Sequence, residues 1–178
     1  MLNVHKLSLW NKLVRILWMI TRLVLYRPSP SLLHGWRRFL LRCFGAKIGV
    51  GAHPYPTAVI WAPWNLEMGD DSCLSHHVDC YNVAKITLGK CATVSQYSFL
   101  CTATHDYTKD NFPLLVAPIS IGADAWVTAD VFIGPGVNIG EGAVINARSS
   151  VFSDIEPWVV AKGTPARAYK ARVLEKIS

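Results

Sequence analysis

The sequence predicts a mainly β fold: a three-sided solenoid of parallel strands, preceded by a basic helical arm and followed by a short tail. Two observations carry the solenoid. Ile121, Val127, Ile133, Ile139, Ile145 and Val151 are aliphatic and recur at a strict six-residue interval. Ala125, Val131, Val137, Ala143 and Ser149, all small or β-branched, stand four positions after the first five. A period of six fits neither a helix face nor a simple alternating strand. It fits six-residue units that each supply one short strand and one corner, three to a coil, with coils stacked by parallel pairing. A third observation sets the arm apart. No Asp or Glu precedes Glu67, while nine Lys/Arg do.

The chain of 178 residues has 51% hydrophobic and 17% charged residues, which fits a folded domain and argues against disorder. Residues 1–44 read as a basic amphipathic helical segment. Leu9, Leu13, Ile16, Leu17, Ile20, Leu23 and Val24 recur at helical spacing, and Pro28 and Pro30 break the helix. A second short basic helix is expected from Leu32 to Phe44, ending at Gly45. The arm either packs on the main fold or a neighbouring subunit, or lies on a membrane with Trp at headgroup level and Lys/Arg toward phosphate. Lys6, Lys12, Arg15, Arg22, Arg27, Arg37, Arg38 and Arg42 supply its charge, and Lys47 follows just beyond it. Leu7 to Tyr26 is apolar but interrupted by Lys12, Arg15 and Arg22, so neither a membrane span nor a signal peptide is expected.

Residues 45–154 carry the repeat. Its phase appears earlier as Leu88, Val94 and Leu100, and as Met68, Leu74 and Cys80. The frame slips by two between Cys80 and Leu88, and by three between Leu100 and Ile121. The second slip, over residues 102–117, contains His105, Asp106, Tyr107 and Pro113. A solenoid accommodates an insertion as an outward loop, and long outward loops tend to carry function. Residues 155–178 read as a tail. The helices are expected to cap one open end and the tail the other. Flat prism faces pack on copies of themselves, so a homo-oligomer with three-fold closure is expected.

His105 is the leading chemical candidate, because an imidazole titrates near neutral pH and can take a proton from an attacking hydroxyl. Five cysteines, Cys43, Cys73, Cys80, Cys91 and Cys101, form no CxxC pair and suit free thiols in a reducing cytoplasm. Cys101 stands four residues before His105 but occupies a strand position, so an acyl-cysteine is not expected. No metal is expected either: beyond His76, His77 and His105 no further histidine follows.

The repeat, the Thr102-Ala103-Thr104-His105-Asp106 segment and the closing Val160-Ala161-Lys162-Gly163-Thr164-Pro165-Ala166-Arg167 resemble the hexapeptide-repeat acetyltransferases, in particular the maltose and galactoside O-acetyltransferases. Leu33-His34-Gly35-Trp36-Arg37-Arg38 leading into Phe44-Gly45-Ala46-Lys47-Ile48-Gly49 is similar to the acetyltransferases of colanic acid and other exopolysaccharide synthesis. The resemblance spans residues 31–172. It implies a left-handed parallel β-helix and direct acetyl transfer from acetyl-CoA to a hydroxyl of a saccharide or polysaccharide precursor. It implies His105 as general base and a backbone N–H for the oxyanion. CoA contacts are implied at Ala129, Ala147, Phe152, Ser153, Arg167 and Lys170, with Trp126 walling the groove. Ser153 stands where the family often has Lys. Asp79 and Asn82 are the implied acceptor contacts. The resemblance implies no nucleic-acid partner. With the free thiols, a cytoplasmic protein is expected, peripheral on the inner face of the membrane if the arm binds lipid. N-acetylation of an amino sugar, and a non-catalytic scaffold, are the competing readings.

Overall fold

The computed structural model describes residues 3–4 and 8–175; Lys6 and Leu7 of the arm and the last three residues of the tail lie outside that range. Helix α1 (Leu9–Thr21) starts at Ser8, whose Oγ accepts the Asn11 N–H at 3.2 Å. It runs on as a π-helical turn over Arg22–Tyr26. Helix α2 (His34–Cys43) is shorter at both ends than expected, and Gly45 terminates it at φ +87°.

The repeat forms three parallel sheets. The first stacks Lys47–Ile48, Leu66–Met68, Ile86–Leu88, Ile119–Ile121 and Asn138–Ile139. The second holds His53–Pro54, Cys73–Leu74, Thr93–Val94, Trp126–Val127 and Val144–Ile145; the third holds Val59–Ile60, Asp79–Tyr81, Phe99–Cys101, Phe132–Ile133 and Ser150–Val151. Register is set by the aliphatic residues: Leu100 pairs with Cys80 and Ile133, and Val127 with Val94 and Ile145. All of these are fully buried, as are the small residues Ala125, Val131, Val137 and Ala143 at the corners. Each aliphatic side chain moved from water to this column contributes roughly 1.5–3 kcal/mol.

Two local devices turn the chain. The third residue after an aliphatic position adopts a left-handed conformation at two of the three corners: Asp71, Cys91 and Asp124 at one, His77, Tyr97, Asp130 and Arg148 at the other, with φ from 55° to 63°. A glycine follows the aliphatic residue where coils touch. At Gly122 a Cβ would stand 2.5 Å from the Glu141 nitrogen of the next coil.

The structure sets the phase of the repeat before Met68 and adds a partial coil after residue 154. Ile48, Pro54 and Ile60 form the first coil, hidden in the sequence because Pro54 occupies an aliphatic position. The expected tail is a partial sixth coil. Ile155 bridges to Ile139, Val159–Gly163 pairs in parallel with Val144–Ile145, and Ala166–Ala171 folds back antiparallel. Ile155 comes four residues after Val151 rather than six, which broke the pattern.

The helices cap the first coil. Leu40 and Leu41 of α2 enter the core. Trp18 is buried, donates its indole N–H to the Ile60 carbonyl at 2.7 Å and packs edge-on against Tyr26. Arg37 is buried, and its guanidinium donates to Pro54 O of the first coil at 2.7 Å and to Ser29 Oγ at 2.9 Å and Pro30 O at 2.7 Å in the segment between the helices. Among the described residues no helix is long and apolar enough to cross a membrane.

Candidate active site

The insertion after Leu100 is a β-hairpin. Ala103–His105 pairs antiparallel with Leu114–Val116, placing His105 opposite Leu114, so the open loop is confined to residues 106–113. Asn3–Val4 adds a third strand along the outer edge, opposite Val116 and Leu115. Thr102 roots the hairpin. It is buried; its hydroxyl donates to the Tyr81 carbonyl at 2.9 Å and accepts the Ala84 N–H at 3.0 Å. Val83, Ala103 and Val116 form a second small core beneath the hairpin, against Trp61, Tyr81 and Leu114.

His105 is exposed, and its Nδ1 lies 2.6 Å from the Phe112 carbonyl oxygen across the loop. A carbonyl can only accept, so Nδ1 carries the ring proton. In the neutral ring Nε2 is then the unprotonated nitrogen, the state a general base requires. The adjacent carboxylate does not orient the ring. Asp106 Oδ1 accepts the Thr108 N–H at 3.1 Å and its hydroxyl at 2.6 Å, bonds that hold its carboxyl below the usual range and close the loop as an Asx turn. Cys101, on the strand leading into the hairpin, donates its thiol to the Ala103 carbonyl at 3.1 Å. Burial pushes its pKa up, which disfavours the nucleophilic thiolate.

The implied CoA residues fall in three places. Trp126, Ala129 and Ala147 line one cleft of about 630 Å³ along the second sheet, with Ser95, Gln96, Thr128, Val144 and Asn146. A second hollow of about 410 Å³ continues it around the corner past Tyr97, Asp130 and Arg148. The volume suits a ligand of cofactor size. The Trp126 indole donates to Ser95 Oγ at 2.9 Å, so the ring stands across the cleft in a fixed orientation. Phe152 and Ser153 lie at the next edge, where Phe152 packs on Phe132 and Arg167 Nη1 donates to Ser153 Oγ at 3.2 Å. Lys170 is on the terminal strand, its ammonium 5.7 Å from the Tyr169 ring centre, and the Tyr169 hydroxyl accepts from Asn146 Nδ2 at 3.4 Å at the cleft.

Sequence reasoning missed Ser95, Gln96, Thr128, Asn146 and Tyr169. Ser95, Thr128 and Asn146 each follow an aliphatic position of the second sheet, a column visible in the repeat once the strand face is known.

The implied acceptor residues part company. Asp79 is exposed on the third sheet; desolvation raises its pKa, and the nearby Arg22 cation works against that rise. Asn82 is placed otherwise. It is buried, its Oδ1 accepts the Ala62 N–H at 2.9 Å and its Nδ2 donates to the Ala62 carbonyl at 2.6 Å. Its amide is a clamp between coils, with both polar ends committed to the scaffold.

No protein-family model matches the chain. It is 42% identical over 157 residues to the Escherichia coli chain assigned to colanic acid biosynthesis as the acetyltransferase WcaF, covering 88% of this chain and 86% of that one. The chain belongs to the hexapeptide-repeat acetyltransferases. Galactoside O-acetyltransferase of Escherichia coli is 28% identical over 137 residues, 75% of this chain and 68% of that one. The crystal structure of a hexapeptide-repeat acetyltransferase from Vibrio cholerae complexed with acetyl-CoA superposes with a TM-score of 0.83 at 26% identity, covering 92% and 90% of the two chains.

Proposed function

We propose that this hexapeptide-repeat acetyltransferase moves the acetyl group of acetyl-CoA to a hydroxyl of a saccharide or polysaccharide precursor, directly, with His105 Nε2 as the general base. The observation that carries the reading is the bond from His105 Nδ1 to the Phe112 carbonyl, which fixes the tautomer whose Nε2 accepts a proton. The acceptor hydroxyl gives its proton to Nε2 as its oxygen attacks the thioester carbonyl. The tetrahedral oxyanion collapses, the C–S bond breaks, and the thiolate leaving group takes the proton back. A preorganised backbone N–H at a coil corner would hold the oxyanion.

The cleft walled by Trp126 suits the pantetheine arm: Ala129 and Ala147 keep its floor flat. Arg167 and Lys170 are exposed cations on the terminal strands and fit the phosphates, with Ser153 beside Arg167. Phe152 offers an apolar edge to the rest of the cofactor. In this reading the prisms assemble as a three-fold oligomer, and CoA lies between neighbours. Asp79 remains the acceptor contact.

The test is thiol release from acetyl-CoA across a panel of sugars and nucleotide sugars, including amino sugars. His105→Ala is expected to lower kcat by roughly 10²–10⁴-fold while leaving CoA binding unchanged. Full activity in that variant would remove His105 as base. Turnover with an amine and no hydroxyl acceptor would reassign the enzyme to N-acetylation.

A further inference from the structure

Helix α1 is inside out. A helix packed on a water-soluble body turns its apolar stripe inward and its charges outward. Here Arg15 lies with its guanidinium 4.3 Å over the Trp61 ring, and Asn11 Oδ1, Arg15 Nε and Arg22 Nε are buried against the body. The outward side instead presents Leu9, Leu13, Ile16, Leu17, Ile20 and Leu23, each more than half exposed. The face continues past the π-helical turn. Trp36 of α2 donates its indole to the Leu25 carbonyl at 3.0 Å and stacks on Phe39, itself 55% exposed. Trp18 pins this arrangement to the first coil, so the orientation is fixed by the fold. Monomers seldom expose a contiguous apolar surface beyond a few hundred Å².

We propose that the outer face of α1, with Trp36 and Phe39 of α2, docks on the surface of a bilayer bearing anionic headgroups. Charge selects this occupant. Lys12 and Arg27 are exposed on the same arm, and no Asp or Glu occurs before Glu67. Pairing the face with its own copy would set like charges against each other, whereas headgroup phosphate complements them. Exposed Trp10 and Trp36 are the side chains that settle at a headgroup boundary. The arm also reaches the site, because Asn3–Val4 pairs with the outer strand of the His105 hairpin. A docked arm would therefore hold the hairpin beside a lipid-carried acceptor; that last step rests on the acetyl-transfer reading, while the docking itself does not.

The test is sedimentation of the full chain with vesicles of phosphatidylcholine alone and with about one-third phosphatidylglycerol. Binding to the anionic vesicles only, weakened by salt, is expected. Lys12→Gln and Arg27→Gln should each lower the partition coefficient about fivefold. Leu13→Glu/Ile20→Glu should abolish binding, with Leu23→Gln as a milder second variant; all change exposed positions and should leave the melting transition in place. Subunit number is measured without vesicles for every variant. Failure of the wild type to bind, equal binding to both vesicles, or a change in subunit number in the face variants would overturn the proposal, the last by assigning the face to contacts between copies. Because sedimentation reads no turnover, an inactive enzyme that still binds vesicles would count against the acetyl-transfer reading alone.

Discussion

Replacing Thr102 by Val tests whether one hydroxyl roots the His105 hairpin. Val keeps the shape and changes only the polar atom, so no cavity term enters. The structure sets the magnitude. The Tyr81 carbonyl loses the hydroxyl at 2.9 Å but keeps the Thr102 N–H at 3.2 Å. The Ala84 N–H loses the acceptor it holds at 3.0 Å. A fully buried donor left without a partner costs about 1–3 kcal/mol, and the partly buried Ala84 N–H falls toward the low end, about 1 kcal/mol. Denaturant unfolding should therefore show a lower midpoint with an unchanged slope. The same loss falls at the hinge between the solenoid and Ala103–His105, so kcat should drop with little change in the KM for acetyl-CoA. Thr102→Ser keeps the hydroxyl and loses a methyl, at a cost nearer 0.5–1.5 kcal/mol. If Val is neutral and Ser is the damaging change, the hydroxyl does not anchor the hairpin and the reasoning fails.

Three further expectations concern the scaffold around the site. Asn82→Ala leaves the buried Ala62 N–H without a partner, while the Ala62 carbonyl keeps the Asn65 N–H at 2.9 Å, so it should cost about 1–3 kcal/mol of stability, read by denaturant titration, and leave the acceptor KM of the surviving folded fraction unchanged. Gly122→Ala forces a methyl to 2.5 Å from the backbone nitrogen of Glu141; the coils cannot keep their spacing, and expression should yield aggregated protein, whereas soluble wild-type-like protein would contradict the stacking argument. Under native conditions at pH 8, a thiol reagent should modify exposed Cys43 and Cys91 rapidly. It should spare Cys73, whose pKa burial pushes up to about 11, and buried Cys80, and peptide mapping of the labelled protein checks the order.

The two kinds of information in this chain were legible to different degrees. The six-residue period fixed the coil because interior positions admit only aliphatic or small side chains, and any chain obeying that rule for six units has few other ways to bury them. The rule weakens where one residue departs from it. Pro54 hid the first coil and the short step to Ile155 hid the last, although both pair in register with their neighbours. The insertion was visible as a slip in frame, but its hairpin geometry was not, since Ala103–His105 is a short apolar–polar mixture and Leu114–Val116 is apolar throughout, and neither alternates in a way that marks a strand without the second core beneath them.

Side-chain roles were harder still, because they depend on partners that the sequence does not place side by side. His105 stood out from its position in the loop, yet the group that sets its tautomer is a backbone carbonyl seven residues on, which no residue type announces. Asn82 is a sugar ligand by resemblance; it turns inward because the first two coils carry a wider corner there, and the buried Ala62 N–H needs a partner. The arm shows the same dependence in reverse. Its helical period was plain, but the direction of its apolar side follows from Trp18. Once that ring is seated under Ile60, the positions one or two turns away on the same side, Arg15, Arg22 and Asn11, must face the body, and the leucines and isoleucines are left outside. A fold that tolerates polar atoms beneath a helix in order to keep its apolar side outward has a surface that water alone does not explain.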